Sequence, residues 1–86
     1  MGAYRLVFKQ SVAKDLRVIP KRDLARILKR IEALAEDPRP PGSEKLAGQE
    51  RYRVRQGVYR IVYAIEADHL VVTIVRVAHR RDVYRK

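Results

Sequence analysis

The stretch VRVAHRRDVYRK, from Val75 to Lys86, puts His79, Arg80, Arg81, Tyr84, Arg85 and Lys86 within eight positions. A second set of arginines lies upstream, where RYRVRQGVYR carries Arg53, Arg55 and Arg60. Guanidinium groups bind phosphate-like anions through a planar fork of N–H donors. Histidine is the side chain whose ordinary pKa lies nearest neutrality, so it can accept or give a proton there. Tyrosine can stack on a flat ring and offers a hydroxyl. Together these types suit an anionic ligand and a proton transfer beside it.

Strands must bring the two sets together. RYRVR and VYRIVYAIE read as two strands joined at Gln56-Gly57, a short hairpin loop. With those two residues as the loop, Arg55 faces Val58, Val54 faces Tyr59, and Arg53 faces Arg60. Side chains alternate along a strand. Arg53, Arg55 and Arg60 then share one face, while Tyr52, Val54, Tyr59, Ile61, Tyr63 and Ile65 share the other. Like charges directly opposite each other weaken a sheet. Placing Arg53 against Arg60 therefore serves an anion better than it serves stability. A third strand, LVVTIVRV, follows a turn near Ala67 and Asp68. A three-residue turn sets Arg76 opposite Arg60, whereas a two-residue turn points it at the helices. The strand ends at Val77, so Arg80 emerges near Arg60 and the basic tail extends the patch.

The rest of the chain supplies the layer behind that sheet. AYRLVFK alternates, with Tyr4, Leu6 and Phe8 on one side and Arg5, Val7 and Lys9 on the other. This is a half-buried strand whose cations blunt an edge. Ser11 is placed to cap a short helix carrying Val12, Leu16 and Ile19. Pro20 breaks that pattern or starts the next helix. From Lys21 to about Glu36, Leu24, Ile27, Leu28, Ile31, Leu34 and Ala35 form one apolar stripe. DPRPPGS ends the helix and makes a loop. The order of strand, two helices and three-strand meander predicts an α+β fold: a two-helix hairpin packed on a mostly antiparallel four-stranded sheet. Residues 1–86 are expected to form one domain.

Bulk properties narrow the classes. Twenty Lys plus Arg against ten Asp plus Glu leave a net charge of +10, and fourteen of the twenty cations are Arg. That field attracts phosphates, acidic membranes or an acidic protein, and the arginine bias favours nucleic acid. There is no cysteine, which excludes disulfides and thiolate metal sites and fits a reducing cytoplasm. No acidic cluster resembles a metal site, and no cofactor motif is present. No apolar run reaches the roughly 20 residues needed to span a bilayer, and the N-terminal residues do not resemble a signal peptide.

KLAGQERYRVRQGVYRIVYAI followed by VVTIVRVAHRRDVYR resembles the RelE branch of the RelE/ParE toxin superfamily, over nearly the whole chain. YRIVY and HRRDVYR carry the likeness most specifically. The resemblance implies a microbial-ribonuclease-like fold and a toxin that cuts mRNA in the ribosomal A site. It implies a cognate antitoxin, built of helical and extended segments, as partner, and the net charge of +10 makes an acidic segment in that partner the expectation. It also implies site residues: basic groups at Arg53 and Arg55, arginines at Arg60 and Arg80, and a tyrosine at Tyr84. The first two are lysines in RelE itself. Arginine cannot give up its proton in a protein, so Arg55 cannot serve as a base.

RNA cleavage of this kind uses the ribose 2′-hydroxyl as nucleophile. It needs a base for that hydroxyl, cations for the phosphate, and an acid for the 5′-oxygen. Arginines supply the cations, with Arg76, Arg81 and Arg85 extending the RNA-binding surface. Tyr84 would stack on a base or orient the ribose. His79 is the candidate to replace the lysine base. Two other readings use the same patch: a ParE-like poison of DNA gyrase without nuclease activity, and an RNA-binding module without chemistry.

Overall fold

The structure, a computed structural model, describes residues 4–48 and 50–83. The chain runs β1 (Arg5–Phe8), α1 (Val12–Arg17), α2 (Lys21–Glu36), β2 (Glu44–Lys45), β3 (Arg51–Gln56), β4 (Tyr59–Glu66), a 3₁₀ turn (Ala67–His69), β5 (Val71–His79) and α3 (Arg80–Val83). The strands form one sheet in the order β1-β5-β4-β3-β2. Among the described residues, β1 and β5 run parallel and the other pairs are antiparallel. The α+β architecture is the expected one, with a fifth strand added. That strand, β2, is two residues long and lies in a stretch that reads as loop.

The helix hairpin covers one face of the sheet. Ile27, Ile31 and Leu34, at the spacing of one helical stripe, bury from α2, with Val12 and Ile19 from the α1 side. The sheet answers with Val54, Ile61, Tyr63, Val72, Ile74 and Val77. Two inward expectations fail at the margin. Phe8, at the end of the edge strand β1, is 43% exposed, and Leu28 of α2, which lines the same groove, is 36% exposed. Ser11 precedes α1 with helical dihedrals and makes no side-chain cap, so that helix starts without the hydroxyl bond expected of it. Pro20 is the residue before α2, and its carbonyl accepts the Leu24 N–H at 2.8 Å. The same helix stops at Asp37, whose extended backbone (φ −147°) is what Pro38 imposes on the residue before it.

The loop after α2 is tied to the core. Tyr63 is fully buried, and its hydroxyl donates to the Pro38 carbonyl at 2.6 Å. Burial pushes its pKa up to about 12. Tyr52 stacks on Tyr63 with ring centroids 5.9 Å apart, and the Arg39 guanidinium lies 5.5 Å from the centre of the Tyr52 ring. These contacts tie down the start of the loop that leads to β2, and β2 borders the arginine face.

Candidate functional site

The β3–β4 hairpin closes through Gly57 and Val58, one residue later than the sequence suggests. Gly57 has φ 62° while Val58 stays at negative φ, the pattern of a type II′ turn. The expected pairing is therefore corrected: Arg55 lies opposite Arg60, and Arg53 lies opposite Val62. The face assignment survives because the pairing has moved by two residues, which leaves every side chain on its side. Arg53, Arg55 and Arg60 stand on the face away from the helices, joined there by Arg51.

Arg60 is only 5% exposed, the one buried charged residue among those described. A buried guanidinium next to a second cation is costly for a sheet. Its strand, β4, is hydrogen-bonded on both sides, between β3 and β5. Arg55, across from it, is exposed.

Arg76 reaches this face by a different route from the one anticipated. The β4–β5 turn has four residues, Ala67 to Leu70, with Leu70 in the left-handed region at φ 54°. A regular ladder from that turn would aim Arg76 at the helices. A bulge intervenes: Tyr63 pairs with Ile74 but Val62 pairs with Arg76, leaving Val75 as the extra residue. The bulge returns Arg76 to the arginine face, opposite Val62 rather than Arg60.

The end of β5 divides the tail residues. Arg60 pairs with Ala78, so Tyr59 and His79 pair on the opposite, helix-side face. Their rings meet edge to face, with centroids 5.5 Å apart. The Arg81 backbone N–H donates to His79 Nδ1 at 3.3 Å. His79 and Arg81 line a groove of about 470 Å³ beside α1, with Lys14, Asp15 and Tyr59. Asp15 accepts a hydrogen bond from the Val77 N–H at 3.0 Å, closing the strand edge that β1 leaves open. The structure thus does not bring His79 to Arg53, Arg55 and Arg60. Arg80 begins α3, is exposed, and its N–H donates to the Val58 carbonyl at 2.6 Å. That bond anchors the tail at the end of the hairpin where Arg55 and Arg60 sit. Tyr84 and Arg85 lie outside the described residues.

One residue on this face is absent from the sequence reading. Glu44 of β2 pairs in register with Arg53, and its carboxylate accepts a charge-assisted hydrogen bond from Arg53 Nη2. That bond, then the nearby charge of Arg53, holds the Glu44 carboxyl below its ordinary pKa; Arg55 and Arg60 add to the effect. Glu44 was missed because nothing in DPRPPGSEK marks a strand. Among the described residues, no three His, Asp or Glu side chains converge as a metal site. No described helix is long and apolar enough to cross a membrane.

Comparison with known proteins places this geometry. The model of the family described as ParE toxin of type II toxin–antitoxin system, parDE, matches residues 6–84. Toxin RelG of Mycobacterium tuberculosis is 34% identical over 87 residues, covering 96% of this chain and 98% of its own. The fold matches the archaeal RelE–RelB complex from Pyrococcus horikoshii with a TM-score of 0.82 at 29% identity, covering 98% of this chain and 99% of that one. The toxin–antitoxin complex RelBE2 of Mycobacterium tuberculosis matches with a TM-score of 0.81 at 30% identity, covering 91% and 99%.

Proposed function

The chain belongs to the RelE/ParE toxins of type II toxin–antitoxin systems, and from that premise we propose that it is a ribosome-dependent endoribonuclease that cleaves mRNA in the A site. The observation that carries this reading is the arginine face, with Arg60 buried at its centre, Arg55 opposite and Arg80 anchored at the hairpin end. Phosphoryl chemistry without a redox step depends on preorganised charge, and one such donor contributes about 10²–10³-fold in rate. Arg60 and Arg55 hold the scissile phosphate. Arg53 and Arg76 extend contact along the RNA backbone, and Arg81 and Arg85 add to it from the tail. Arg80 faces the charge that develops on the phosphate or the leaving oxygen, and Tyr84 orients the nucleotide. His79, on the far side of the sheet, is left out of this set. No cofactor takes part in the reaction so drawn.

The partner is a cognate antitoxin with acidic character, as expected for a chain of net charge +10. The matched complexes pair RelE-type toxins with RelB. Both proteins act in the cytoplasm, where ribosomes translate.

The test is a translation extract charged with a defined transcript. Wild-type protein is expected to leave mRNA cut at codon positions on stalled ribosomes, and Arg80→Ala to abolish the cuts with a thermal midpoint within a few degrees. Intact transcripts together with inhibited gyrase supercoiling would replace this reading with that of a gyrase poison.

A further inference from the structure

The ribonuclease reading leaves one role without an occupant. A base must take the proton from the 2′-hydroxyl, and arginine cannot do so. His79 stands on the helix side, with Nδ1 already accepting the Arg81 N–H. Lys45 pairs with Tyr52, on the helix-side alternation, and its ammonium binds Glu50 at 3.2 Å. Asp15 is engaged at the β5 edge. Glu66 shares the arginine face but sits six residues along β4 from Arg60, roughly 20 Å away at strand rise.

Glu44 remains. Register places Glu44, Arg53, Val62 and Arg76 in one row across β2, β3, β4 and β5. Arg55 and Arg60 form the next row on the same face. Neighbouring strands are about 4.8 Å apart and the next row lies about 7 Å along them, and the charges of Arg55 and Arg60 already act on the Glu44 carboxylate, so it stands within reach of the phosphate those two arginines hold. Pairing of Glu44 with Arg53 and of Lys45 with Tyr52 sets β2, and hence Glu44, against the β3 edge.

We propose that Glu44 is the general base of the cleavage reaction; this rests on the ribonuclease reading above. Its carboxylate takes the 2′-hydroxyl proton as the 2′-oxygen bonds to phosphorus. The bond from phosphorus to the 5′-oxygen breaks, and that oxygen leaves with the electron pair and takes a proton from water. The products are a 2′,3′-cyclic phosphate and a 5′-hydroxyl, with no change of oxidation state. Arg53 keeps the carboxyl ionised at neutral pH through its hydrogen bond and its charge.

The experiment is single-turnover cleavage on programmed ribosomes at saturating protein, from pH 6 to 9, with thermal melting of each variant. Wild type is expected to be flat with pH, since the base is ionised throughout. Glu44→Gln is expected to lose roughly 10²–10⁴-fold at pH 7 and to gain rate about tenfold per pH unit as hydroxide substitutes. Glu44→Asp, with the carboxylate retracted, falls between them. A residue that only positions Arg53 would leave the profile of Glu44→Gln flat. Glu44→Gln within threefold of wild type, or slower but flat, overturns the assignment while leaving the ribonuclease reading intact. Wild type that cuts no mRNA overturns both.

Discussion

Arg55 and Arg60 lie directly opposite each other in adjacent antiparallel strands, and only the second is buried. Two guanidiniums so placed repel, and the exposure of Arg55 leaves its charge in water. The pair separates two effects that alanine substitution usually mixes.

Arg55→Ala removes the repulsion at an exposed site. Stability is expected to hold or rise by a few tenths of a kcal/mol, while cleavage falls about 10²–10³-fold. Arg60→Ala also empties a buried position, so its loss of activity comes with a loss of about 1–3 kcal/mol in stability. Denaturant unfolding alongside the cleavage assay separates the two. Equal destabilisation by both variants would contradict the burial difference.

The alkaline stability of the protein is expected to depend on Tyr63. Its phenol is raised to about 12 in the fold against an ordinary value of 10. The unfolded chain ionises first, so the contribution of this group is complete below pH 10 and is lost as pH rises through about 12. Tyr63→Phe removes that part of the pH dependence and leaves the Pro38 carbonyl without its donor. Unfolding free energy near neutrality should fall by about 1–3 kcal/mol. A variant with an unchanged slope of stability between pH 10 and 12 would refute the assignment.

Leu70 ends the β4–β5 turn at φ 54°, is 46% exposed, and its carbonyl accepts the Arg5 N–H at 2.8 Å. The left-handed conformation suits asparagine better than leucine. Leu70→Asn should stabilise the protein by up to about 1 kcal/mol without loss of cleavage. A lower denaturant midpoint would mean that the exposed leucine makes a contact that outweighs the strain.

The antitoxin complex is expected to weaken as salt rises, because a chain of net charge +10 meets an acidic segment and surface charges are screened beyond about 8 Å at physiological ionic strength. Titration calorimetry across a salt series reads this directly. A flat affinity would shift the weight to apolar docking, for which the groove beside Phe8, Leu16 and Leu28 is the available surface.

The layers and the faces were legible in the order of residues alone. The stripe at Ile27, Ile31 and Leu34 and the alternation around Tyr52, Val54, Ile61 and Tyr63 follow from periods of 3.6 and 2, which are properties of the local backbone. The arginine face followed for the same reason, since a hairpin pairing wrong by two residues preserves every side. Tertiary structure decided what depends on counting across strands. A four-residue turn and a bulge at Val75 together return Arg76 to the arginines, and neither feature leaves a periodic trace. His79 continues the alternation of β5, which placed it with Tyr59 rather than with the basic residues that follow it in sequence. Glu44 became part of the site only because a two-residue strand added itself to the β3 edge. Such a strand is too short to show a pattern, and its place is fixed by pairing with Arg53 and Tyr52, while the loop before it is tied to buried Tyr63 across 25 residues of sequence.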